Sequence, residues 1–376
     1  MQRLISHIFI PLVMMGLTSC HQAGPNAVRT GRTNYNIVIQ QTSSEQLLLN
    51  LVRLRYRDVP FFMEVASVST SFYFDASASA SVSLPESEGN IYAFGAGAGY
   101  TERPTITYTP LQGDKFVRQL MSPIDLNTIL LLYHSGWSVE RIFRVCLQSI
   151  NGVRNAPGAS GPTPDYVPKY KKFREVVSLF RKLQLKRVLD MGQIPSEDPN
   201  NPIVEIRIDE GALEYEEVKQ LCDLLVLERG THFPLYSEVG AKRKDRITTV
   251  PRSLITTVPR SLITTVPRSL MGSLFYVSQS VEVPPEDELA KRVTISRDTE
   301  GNRFNWREVT GELMHIYSSR KRPHNAYLAI HYRGSWFYIE DSDLTSKSTF
   351  SLLMQLFALQ AGEIKSTGPI LTLPVS

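Results

Sequence analysis

Residues 67–84 alternate with almost no break. Val68, Thr70, Phe72, Phe74, Ala76, Ala78, Ala80, Val82 and Leu84 hold one parity; serine holds the other, except at Tyr73 and Asp75. A side-chain period of two belongs to an extended strand, which gives this stretch one apolar and one hydroxyl-rich face. Pro85, Gly89 and Asn90 supply turn chemistry. The alternation then resumes over 91–100, with Tyr92, Phe94, Ala96, Ala98 and Tyr100 set against Gly95, Gly97 and Gly99. The pattern predicts a long β-hairpin with a polar tip. At ~3.3 Å per residue its first strand extends about 55 Å, enough to cross a bilayer.

On either side the period changes to that of helices. Ser43 and Gln46 have capping-box spacing ahead of Leu47, Leu48, Leu49, Leu51 and Leu54, so a helix is expected to begin there and stop before Pro60. Helical spacing recurs over 114–121, 125–134 and 138–150, broken by Pro123 and Gly136. Residues 151–168 are rich in glycine and proline and read as a linker between domains. An amphipathic helix over 169–191 follows, then a strand at 203–208 and helices at 215–227 and 271–281. Strands are expected at 313–318, 326–332 and 335–340, the last two joined at Arg333-Gly334, before an apolar helix over 349–360. The fold class is α+β: an N-terminal helix and long β-hairpin, a helical block, then a C-terminal α+β domain with antiparallel strands and flanking helices. The expected organisation is a tether at 20–36, a first part at 37–150, the linker, and a second part at 169–376.

Residues 247–270 repeat Ile-Thr-Thr-Val-Pro-Arg-Ser-Leu three times without a change. Eight residues carrying a proline cannot form the supersecondary unit that a solenoid stacks. Two readings stand: a duplication in a tolerant surface loop, or an extended ligand strand presenting Arg252, Arg260 and Arg268. Because the third copy runs straight into the apolar 271–281 helix, that copy is expected to belong to the framework.

The chain opens with Arg3, an apolar stretch over 4–17, and Leu17-Thr18-Ser19-Cys20. This has the build of a secretory signal and is too short for a stable membrane span. Leu17-Thr18-Ser19-Cys20 resembles the lipobox of bacterial lipoprotein precursors. The resemblance implies cleavage after Ser19, a thioether-linked diacylglycerol on Cys20 and a further acyl chain on its new amino group. Several chains at about 0.8 kcal/mol per buried methylene give a stable anchor. His21 follows where inner-membrane lipoproteins commonly carry aspartate, which implies the outer membrane, with the body facing the periplasm. Segments 45–62, 110–153 and 332–361 are similar to a recurrent class of uncharacterised bacterial lipoproteins, a likeness that implies an address and a shared fold and selects no activity.

Composition narrows the partners. The 376 residues are 42% hydrophobic and 21% charged, a globular balance, and the formal charge of +4 falls to +3 once Arg3 leaves. That is too weak for a polyanion partner, and nucleic acid is excluded on these grounds. Cys146 and Cys222 lie in apolar helical patterns and read as buried thiols, with one disulfide as the alternative. No nucleophile elbow or phosphate loop occurs, and the histidines include no helical i,i+4 pair, so no cofactor and no metal site is expected. Asp341 and Asp343 beside Glu340 suit helix capping better than a cation or a carboxylate pair. Trp336, Phe337 and Tyr338 suit core contacts better than a ligand groove.

Three functions follow. The favoured one is a non-enzymatic, outer-membrane-anchored lipoprotein that binds or organises envelope components, with envelope proteins and further copies of itself as partners. The second is an oligomeric pore or secretion component to which each copy contributes its 67–100 hairpin. The third is a hydrolase acting on envelope polymers.

Overall fold

The computed structural model describes residues 23–83, 91–162, 167–196, 202–238, 261–298, 300–361 and 371–374. Cys20 and the rest of the lipobox lie outside them, as do the first two repeat copies apart from Ser261 and Leu262. The fold is α+β, and the chain divides into two compact units: residues 1–60 with 113–364, and residues 61–112 with 365–376.

The smaller unit is the hairpin. Strand β1 (Phe62–Ser83) pairs antiparallel with β2 (Ile91–Leu111), and β12 (Leu371–Pro374) pairs with the far edge of β2. The register sets Phe74 opposite Tyr100, Ala76 opposite Ala98, Ala78 opposite Ala96 and Ala80 opposite Phe94, while Ser77 and Ser79 meet Gly97 and Gly95. The apolar parities of the two strands are thus in phase, and a one-residue slip would set apolar against polar along the whole ladder. The hairpin is longer than the alternation predicts, because β2 continues through 101–111. Pro104 and Pro110 flank Thr105–Tyr108, the stretch that pairs with β12, and so sit where a missing N–H breaks no ladder to that strand.

In the larger unit, helix α1 (Ala23–Arg55) begins about four turns earlier than the N-terminal tether allows. The expectation of an unstructured 20–36 segment is corrected from Ala23 onward. Pro25 falls in the first turn, where a missing N–H costs nothing, so it does not stop the helix. The C-terminal half is the buried part, with Leu48, Leu51 and Val52 fully enclosed. Each contributes about 1.5–3 kcal/mol through burial.

Helices α2 (Asp114–Met121), α3 (Leu126–His134) and α4 (Val139–Cys146) match the expected block. Residues 147–150 do not continue the last of these; they form strand β3 (Leu147–Ile150), which turns back into β4 (Val153–Arg154). The 169–191 segment likewise divides into α5 (Lys171–Leu185) and β5 (Leu189–Ile194). Strand β6 (Ile203–Ile208), helix α6 (Glu216–Leu225), and strands β7 (His232–Ser237) and β8 (Ile263–Pro267) complete a six-stranded sheet in the order β4-β3-β8-β7-β6-β5. It is antiparallel except for β7 and β8.

This sheet overturns the predicted domain boundary. Strand β3, before the glycine- and proline-rich stretch, pairs with β8, more than a hundred residues later. Asn155 and Ala159 are buried, and Asn155 Nδ2 donates to the carbonyls of Arg144 at 2.9 Å and Leu147 at 2.8 Å. Composition alone does not separate a linker from a packed loop whose polar groups are satisfied inside.

Helix α7 (Leu270–Ser278) follows β8 directly, capped by Ser269, whose Oγ accepts from Gly272 N. After α8 (Pro285–Leu289) and the short α9 (Arg307–Thr310) comes a small sheet. It is built from β9 (Tyr317–Ser319), β10 (Ala326–Tyr332) and β11 (Ser335–Glu340) in the order β10-β11-β9. The predicted 313–318 strand is reduced to β9, because Leu313 N and Met314 N still bond back to Thr310 O in a turn. Helix α10 (Leu344–Ala361) closes this part.

Candidate functional site

Arg268, from the third repeat copy, is fully enclosed, so it cannot be part of a presented ligand strand. Its Nε donates to Ser160 Oγ at 2.8 Å, its Nη1 to the carbonyls of Arg144 and Leu147, and its Nη2 to Asn155 O. The guanidinium lies 4.0 Å over the Tyr276 ring. Burial pulls its pKa down to about 10. This is a structural post that ties β3, the 155–160 loop and α7 together. The reading of the third copy as framework is in accord with it.

A cavity lined by incompletely paired residues lies elsewhere in the same unit. On α1, residues 48, 51, 52 and 55 follow the i, i+3, i+4, i+7 spacing, so Arg55 ends the buried apolar stripe and is carried inside with it. Gln279 and Ser280 leave the end of α7, and the chain then runs beside Ile316, with Glu282 N donating to Ile316 O at 2.8 Å. The 295–307 loop folds back on itself through Phe304 N to Ser296 O at 2.8 Å. These segments enclose a cavity of about 270 Å³ that is also lined by Arg303, Trp306, Arg307 and His315. That volume is near the lower edge for small-molecule sites, roughly 300 Å³.

The polar lining is incompletely paired. Among the described residues, five buried side-chain atoms lack a hydrogen-bond partner; Arg55 Nε, Gln279 Oε1 and Ser280 Oγ, three of the five, belong to residues of this one cavity. Their residues are 5%, 6% and 5% exposed. Arg55 Nη1 donates to Thr294 O at 3.1 Å, while Gln279 Nε2 donates to Phe275 O at 3.4 Å, which fixes the orientation of the amide. Leaving such atoms unpaired costs about 1–3 kcal/mol each.

The charge is unbalanced as well. Arg303 pairs with Glu288 at 2.6 Å, and the only carboxylate in the lining is Glu282. Burial, and then the like charge of Arg303, pulls the pKa of Arg55 down to about 10, so it remains a cation at neutral pH. Arg307 Nη2 donates to His315 Nδ1 at 2.8 Å. An arginine can only donate, so the neutral imidazole carries its proton on Nε2, which lies 3.9 Å from Glu282 Oε2. Burial and then Arg307 hold the His315 pKa below its ordinary value. Three arginines against Glu282 and Glu288 leave an excess positive charge.

Asp343 anchors the far wall, as capping predicts. Its carboxylate accepts from Ser346 N at 2.9 Å and from Ser346 Oγ, which in turn accepts from His315 N at 2.8 Å. Asp341 instead pairs with Lys347 at 2.7 Å. Phe337 is core, Tyr338 stacks on Tyr317 at 5.5 Å, and Arg322 lies 5.3 Å from the Trp336 ring. Cys146 and Cys222 are free and buried, and burial pushes the Cys146 thiol up to about 12. Among the described residues no three metal-binding side chains cluster, and no helix is long and apolar enough to cross a membrane. Sequence reasoning missed the cavity; its one local signal is Arg55 in phase with a leucine stripe.

No known family, curated protein or solved structure matches the chain.

Proposed function

We propose that this is a non-enzymatic binding lipoprotein of the bacterial envelope, anchored at the outer membrane through acylated Cys20 with its body in the periplasm. The observation that carries the binding role is the cavity in which Arg55, Gln279 and Ser280 keep unpaired polar atoms out of bulk water. Binding suits His315 better than acid–base catalysis does. In a catalytic triad a carboxylate stabilises the imidazolium, whereas here the Arg307 guanidinium opposes it. The Leu17-Thr18-Ser19-Cys20 resemblance supports the anchor. A Cys20→Ser chain is expected to lose labelled fatty acid and membrane sedimentation; retained label would overturn the address.

The hairpin favours a second reading, a multimeric β-barrel pore. Its strands of 22 and 21 residues are paired with their apolar parities in phase. Detergent-extracted protein that forms a ring and conducts in planar bilayers would favour the pore. A non-conducting monomer would leave the binding role.

A further inference from the structure

We infer that the Arg55–Gln279–Ser280 cavity takes a small organic oxyanion that carries a hydroxyl or N–H donor next to its charged group. The inference rests on the binding reading and names its ligand. Arg55 Nε and Ser280 Oγ lack partners and are closed to water; a shift of each side chain into the cavity would let them donate to the oxyanion, which the excess positive charge of the three arginines favours. Gln279 Oε1 can only accept, and its amide cannot flip without losing the bond to Phe275 O. An anion alone would therefore leave that oxygen unpaired, and the ligand's adjoining donor completes the set. Val281, Ile295 and Phe304 provide the apolar remainder of the wall, which suits a short carbon skeleton. Glu282 and Arg303, each with a side chain about half exposed, form the mouth. The 270 Å³ volume admits a molecule of a few carbons.

The test is calorimetric titration of the full acylated chain in detergent with lactate, N-acetylglycine, glycerol 3-phosphate, acetate and glycerol. Lactate and N-acetylglycine pair a carboxylate with a donor, glycerol 3-phosphate pairs a phosphate with one, acetate lacks the donor, and glycerol lacks the charge. At least one of the first three is expected to bind roughly tenfold or more tightly than both acetate and glycerol. The preferred one assigns carboxylate or phosphate. Arg55→Met and Ser280→Ala are expected to weaken it by roughly tenfold to a hundredfold, and Gln279→Met to remove the preference over acetate. Arg303→Gln, at the half-exposed mouth, guards against misfolding of the buried variants and should weaken every anion while leaving the thermal transition in place.

Equal binding of glycerol, or no saturable heat with any probe, would overturn the inference, with ordered water then completing the lining. Failure of these titrations in a chain that labels at Cys20 overturns the ligand class and leaves the anchor standing. Loss of the label in a chain that binds the anion overturns the anchor alone.

Discussion

Arg307 Nη2 donates to His315 Nδ1 across 2.8 Å, so at the wall of the cavity burial and then a neighbouring cation both disfavour the imidazolium. The groups facing this ring are Arg307, Glu282 and Asp343, with the Tyr317 ring tilted 45° against it at 3.8 Å between centroids. Burial and Arg307 outweigh the two carboxylates.

Stability should therefore fall on acidification. The folded protein disfavours the imidazolium, so below the ordinary histidine pKa of about 6.5 the unfolded chain binds the proton first. The contribution of His315 is present above that pH and is lost as pH drops through it to the lower folded value. Urea melts from pH 8 to pH 5 should show a steeper loss for the wild type than for His315→Gln. Parallel curves would contradict this. Arg307→Gln should raise the His315 midpoint in an NMR titration.

The three repeat arginines should differ sharply although their local sequences are identical. Arg268→Met removes a buried donor from the carbonyls of Arg144, Leu147 and Asn155, of which the first two keep a bond from Asn155 Nδ2, and it empties a fully enclosed side-chain site, so it should cost about 3 kcal/mol or more. Arg252→Met and Arg260→Met should stay within about 0.5 kcal/mol of wild type. Denaturant unfolding of the three variants checks this, and equal losses would refute the assignment of the third copy to the framework.

Deleting residues 247–262 should leave a folded protein. Nine residues, 238–246, would then connect β7 to β8. In the parallel pairing Ile263 lies opposite Leu235, so the chain must return only about 10 Å along the sheet, against a reach of about 30 Å for nine residues. The third copy keeps its strand, its buried arginine and its helix cap. Loss of the cooperative thermal transition would show that the earlier copies bear on the fold.

Local periodicity was sufficient for many of the elements. Strict alternation identified the hairpin, and the helices expected over 114–121 and 215–227, observed at Asp114–Met121 and Glu216–Leu225, followed from helical spacing. Strand β3 and the start of β5 were read as helix because each is a short segment continuous with a preceding amphipathic helix, too short to display a period of its own. The 151–168 stretch was misread because glycine and proline mark a turn equally well whether it is solvated or packed.

What the sequence by itself determined is whatever depends on neighbours a few residues apart: the alternation of the hairpin, the helix stripes, the Asp343 cap and the lipobox resemblance. Tertiary structure alone decided the rest. Arg252, Arg260 and Arg268 have the same immediate flanking residues, and nothing in those residues says that Arg268 meets the carbonyls of Arg144, Leu147 and Asn155. Arg55 likewise lines a cavity with residues 279–315, more than two hundred positions away. Burial and unpaired hydrogen-bonding capacity depend on which distant segments close around a side chain, and no local pattern encodes that.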